Sequence, residues 1–135
     1  MSSIADARSV SKKALWAGRA LSAVPVLMLL LSATGKFMKP QAVVEGFTHL
    51  GYHESLALPL GIVELACTVI YLIPRTSILG AILLTGYLGG ATATHVRIGE
   101  PFWIPVLLGV MVWAGLYLRE ERLKALVPLR GSRAS

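Results

Sequence analysis

The stretch 80-GAILLTGYLGGATATHVR-97 is free of Asp, Glu, Lys and Arg until its last residue, and small residues recur along it. From Ser77 to Thr94 eighteen consecutive residues carry no charge. At about 1.5 Å of rise per residue, a helix of that length covers most of a hydrocarbon core about 30 Å thick. We read it as a membrane-spanning helix. Gly86 and Gly90 form a G-x-x-x-G pair that Thr94 continues, and Thr85, Gly89 and Ala93 make a second small row beside it. Helices in lipid gain little from hydrophobic exclusion, so strips of small residues let their backbones approach. The spacing therefore predicts helix contacts at Gly86, Gly89, Gly90 and Ala93, with this helix as the central packing partner. A ligand-contact or dimerisation surface is the less expected use of the same strips.

Composition agrees with a membrane environment. The 135 residues are 55% hydrophobic, with a mean hydropathy of +0.67, too apolar for a soluble domain of this size. The net charge of +6 comes from Lys and Arg gathered near the chain ends. There it suits anionic headgroups and topology control, and no nucleic-acid signature accompanies it. The single cysteine, Cys67, lies in an apolar run. A disulfide framework, a C-x-x-C motif and a thiolate metal cluster are thereby excluded within the chain.

Outward from the opening stretch, three further spans are legible. Residues 20–37 form the first, following a basic tail over 1–13; a signal peptide is the competing interpretation, disfavoured because more apolar segments follow and Arg19 interrupts its layout. Pro25 is expected to bend this span or loosen its ladder. Residues 56–73 form the second, 77–95 the third and 102–118 the fourth, with Trp103 and Tyr117 as interfacial anchors and a basic tail over 119–135. Between the first two spans, Pro40 opens a short interfacial helix whose Val43, Val44, Phe47 and Leu50 share a face, and Gly51 ends it. His49 and His53 are four apart, but Gly51 lies between them and no carboxylate completes a ligand set, so no metal site is expected. The fold expected is an all-α, four-helix transmembrane bundle forming one domain.

Charge sets the orientation. Arg8, Lys12, Lys13, Arg19, Arg75, Arg119, Arg122, Lys124, Arg130 and Arg133 fall on one side, against Lys36, Lys39 and Arg97 on the other. The positive-inside rule then places both termini in the cytoplasm of a multi-pass protein of the cell membrane.

Glu64 is the exceptional residue. A charge in the apolar zone costs about 2.5–3.5 kcal/mol on insertion scales and marks a functional site by default. Its candidate partners are Lys36, His95 and Arg97, all in the outer half of the bundle. His95 and Arg97, two apart, point to opposite helix faces, so one of them is expected beyond the helix end. Two uses compete: a charge pair that fixes helix register, or a polar pocket in which Glu64 and His95 hold the head of a small amphipathic molecule.

The combination of Lys36 closing the first span, LPLGIVELA around Glu64, LIPRTSILGAILLTGYLGGATATHVR and WAGLYLREERL closely resembles the DoxX-like small membrane proteins, from about Ala20 to Pro128. The resemblance implies a four-helix membrane bundle. It implies less about activity, since the family name comes from a subunit associated with a thiosulfate:quinone oxidoreductase. We expect no catalytic activity from the chain by itself. It has no motif to hold flavin, haem or an iron–sulfur cluster alone, so no cofactor is expected to be held by the chain itself, with a quinone as the candidate ligand. The leading expectation is an accessory or binding subunit that presents a quinone or other lipid-like molecule to a partner oxidoreductase, as a monomer or homo-oligomer. A small transporter or proton pathway, and an assembly scaffold, are the alternatives.

Overall fold

The computed structural model describes residues 10–130, and among them every regular element is helical. Arg8 and Arg133, both used in the charge argument, lie outside the described residues. Helix α1 runs Lys12–Met38, α2 Gln41–His49, α3 Ala57–Leu72, α4 Ser77–Arg97, α5 Trp103–Arg119, and a last turn, α6, Glu121–Lys124. Single 3-10 turns, Glu54–Leu56 and Pro74–Thr76, lead into α3 and α4.

Helix α1 begins eight residues before the expected span. Ser11 caps it by accepting from the Ala14 N–H at 3.2 Å, and nothing in Lys12–Arg19 forbids a helix. Lys12, Lys13 and Arg19 thus stand on its first turns and not in a separate tail, with the Arg19 guanidinium 5.1 Å from the Trp16 ring centroid. The helix runs on through a buried Pro25. It stops where Lys39 turns left-handed (φ 50°) and donates its N–H to Gly35 O. Gly51, at φ +82°, makes the turn after α2, a backbone that a side chain would strain.

The four long helices close a ring in the order α1, α3, α4, α5, with α5 returning to α1. The centre of packing is not α4, as the glycine spacing predicts, but the α1–α5 crossing. There a Cβ on Gly115 would stand 2.8 Å from Gly18 O, and one on Gly18 2.7 Å from Gly115 O, so only bare backbones fit. By contrast, a Cβ on Gly86, Gly89 or Gly90 would meet nothing within 4 Å. The tight glycine on α4 is Gly80, whose face lies against the Tyr71 backbone.

Leu29, Leu84, Leu88, Val112 and Leu116 fill the core around Tyr71. Leu27, Leu31, Ile62, Ile82 and Val110 are exposed on the outside. So much outward apolar surface fits lipid better than water. Three helical segments, Lys12–Met38, Glu54–Leu72 and Pro74–Arg97, are long and apolar enough to cross a membrane, and α5 is apolar but 17 residues long.

A polar chain ties three helices near the end of the bundle where α1 begins. Tyr71 OH donates to Val112 O at 2.8 Å, so Ser22 Oγ, also 2.8 Å away, donates to the phenol oxygen. Arg119 Nε completes the chain by donating to Ser22 Oγ at 3.2 Å. None of the fully buried side-chain polar atoms in it lacks a partner, which is the condition for burying such groups in a low-dielectric core.

Candidate functional site

Lys36 sits in the last turn of α1 and Glu64 two turns into α3, at the end of the bundle covered by α2. Gly61, one turn before Glu64, brings the helices together: a Cβ there would lie 3.0 Å from Lys36 Cβ. The lysine Nζ donates to Glu64 Oε2 at 2.7 Å and to Ser32 Oγ at 2.6 Å, and Ser32 Oγ donates to the same carboxylate oxygen at 3.2 Å. Ser32 and Lys36 share a helix face four residues apart, which is why both reach Oε2. The carboxylate is 2% exposed and the lysine 14%. From α4, Tyr87 flanks the pair, its ring centroid 6.0 Å from Nζ. A buried ion pair of this kind repays its desolvation only through such added hydrogen bonds, so its presence says little about net stability.

Of the three candidate partners, Glu64 therefore takes Lys36 alone. His95 turns its Nδ1 to Ala91 O at 2.7 Å. Since a carbonyl only accepts, Nδ1 is the donor. Arg97 turns the other way. Its guanidinium donates to Leu50 O and stands 5.6 Å from the Tyr52 ring centroid. Both residues belong to α4 itself, so neither lies beyond the helix end as the sequence suggests; the two-residue spacing separates their faces without ending the helix.

Arg97 instead anchors α2. Thr94 Oγ1 donates to Gly90 O, so Tyr52 OH donates to Thr94 Oγ1 at 2.9 Å, and His49 Nε2 meets Glu100 Oε1. His53 is occupied differently, accepting from the Ser55 N–H to cap the turn before α3. All these ties hold the C-terminal end of α2 and the turn after it, while Phe47 is its one buried side chain.

Beneath α2 lies a cavity of about 770 Å³. Ser32, Lys36 and Glu64 form its polar end, Tyr87 and His95 stand along α4, and Phe47, Leu60 and Leu88 supply apolar wall. Gly86 and Gly90 also face it, which explains why a Cβ there meets no neighbour. The second small row faces elsewhere: Thr85, Gly89 and Ala93 line an apolar groove of about 880 Å³ between α4 and α5, across which Trp113 Nε1 donates to Thr85 Oγ1 at 2.7 Å. The two rows that looked like helix contacts thus open space on both flanks of α4.

Sequence reasoning missed Ser32, Tyr87 and Tyr52. A signal for Ser32 existed, because it lies one turn before Lys36 on the same face.

A comparison with protein-family models finds the DoxX-like family over residues 20–115, a span that contains Lys36, Glu64 and His95. No curated protein and no solved structure matches the chain.

Proposed function

The chain belongs to the DoxX-like family, and on that premise we propose that this multi-pass membrane protein is a binding subunit for a lipid-like small molecule, a quinone being the type example. In this reading its four long helices all span the cell membrane with both termini cytoplasmic. The polar head of the ligand lies at Lys36, Glu64 and Tyr87, and its apolar body runs along Leu88 and Phe47. The chain then presents the molecule to a partner oxidoreductase. One observation carries the reading: a cavity of about 770 Å³ has an ion pair with a buried carboxylate at one end and apolar wall for the rest. That pairing of a few convergent polar groups with apolar surface is what amphipathic ligand sites use.

A transporter or proton pathway draws less support, because the polar groups at the two ends of the bundle form separate clusters, Ser32–Lys36–Glu64 at one and Arg119–Ser22–Tyr71 at the other. The scaffold reading draws on the open groove between α4 and α5. Mass spectrometry of small molecules and proteins retained in mild detergent tests the proposal. A stoichiometric lipid-like molecule is expected with the wild type, and Glu64→Gln should lose it. A folded Glu64→Gln variant with full ligand content and full partner activity sinks the reading.

A further inference from the structure

We infer that Glu64 is a charge filter: by neutralising Lys36 it fits the cavity to an uncharged, carbonyl-headed amphipathic molecule and turns away an anionic one. This rests on the cavity being the binding site proposed above. An ammonium has three N–H donors, and two of those on Lys36 are committed, to Glu64 Oε2 at 2.7 Å and Ser32 Oγ at 2.6 Å. The third is left for a ligand. Of the two charged groups the lysine is the more accessible, 14% against 2%, so an entering head meets an N–H whose positive charge is already matched.

A carbonyl oxygen accepts from that N–H and adds no charge. A carboxylate or phosphate would place a second anion beside Glu64, in surroundings of low dielectric where like charges repel strongly. Among the described residues no other Lys or Arg lines the cavity. Arg97 is turned onto Leu50 O and the Tyr52 ring, and the His95 ring is held by its Nδ1 on Ala91 O. The remaining wall, with Met28, Phe47, Leu60 and Ile104, suits a hydrocarbon body.

The test uses two probes with the same chain and nearly isosteric heads, hexadecanamide and hexadecanoate, binding to the purified full-length protein at a pH where the acid is ionised. The wild type should hold the amide at least about ten-fold more tightly than the anion, the size expected when a buried charge goes unmatched. Glu64→Gln frees the charge of Lys36 and should reverse the order. Should that variant not fold, the wild-type comparison decides alone. Equal or tighter binding of hexadecanoate by the wild type overturns the filter while leaving the cavity reading in place. Binding of neither probe overturns the cavity reading itself, and the filter with it.

Discussion

Lys36 Nζ stands 2.7 Å from Glu64 Oε2, joining the last turn of α1 to the middle of α3, with the carboxylate far more deeply enclosed than the lysine. The asymmetry predicts unequal substitutions. Lys36→Met leaves a carboxylate buried without its cation and should cost about 3–5 kcal/mol. Glu64→Gln keeps shape and hydrogen bonding, and the freed lysine can reach toward the cavity, so its cost should be clearly smaller. Unfolding of both variants in detergent measures the difference; equal losses would mean that the pair is not enclosed as described.

Glycine position should decide tolerance. Gly115→Ala drives a Cβ to 2.8 Å from Gly18 O and should destabilise by about 1–3 kcal/mol, the usual cost of overpacking. Gly90→Ala projects into open cavity and should leave the unfolding midpoint nearly unchanged. Thermal unfolding of the two side by side checks this, and a reversed order contradicts the packing centre at α1–α5.

The hold on α2 comes from Arg97, Thr94 and Glu100 at the end of α4 and the loop after it. Removing the guanidinium with Arg97→Ala should raise amide hydrogen exchange across 41–52 several-fold, while exchange in α1 and α5 stays as it is. Exchange unchanged in 41–52 would show that Phe47 packing alone holds the helix.

Orientation is testable with single cysteines at exposed sites, given that Cys67 is buried. Lys13→Cys and Leu129→Cys should react with an impermeant maleimide only from the cytoplasmic side, and Glu54→Cys only from outside. Labelling of all three from one side rejects the four-span topology.

Much of the architecture was legible because lipid imposes a simple rule: long uncharged runs become helices. The partner of Glu64 was legible in outline for the same reason, since a carboxylate in an apolar run demands a cation and Lys36 was one of three candidates in the outer half of the bundle. The glycine rows misled because periodicity reports a smooth helix face and not what faces it. Gly86 and Gly90 look the same in sequence whether they meet backbone or empty space, whereas the true close approach joins Gly18 and Gly115, far apart in the chain. The chain of hydrogen bonds from Arg119 through Ser22 to Tyr71 was invisible, because single hydroxyls inside apolar runs are common and reveal no partner. The start of α1 was missed because Arg19 looked like a boundary, though a helix carries basic residues readily where it meets headgroups.

The central claim is that the space beside Gly86 and Gly90 holds a lipid-like molecule, and Gly90→Leu tests it most directly, because this position adjoins the cavity and no helix. Native mass spectrometry of the wild type should show a bound small molecule at a fixed stoichiometry, and the folded Gly90→Leu protein should have lost it. A folded Gly90→Leu variant that carries the same molecule at the same stoichiometry would contradict the account.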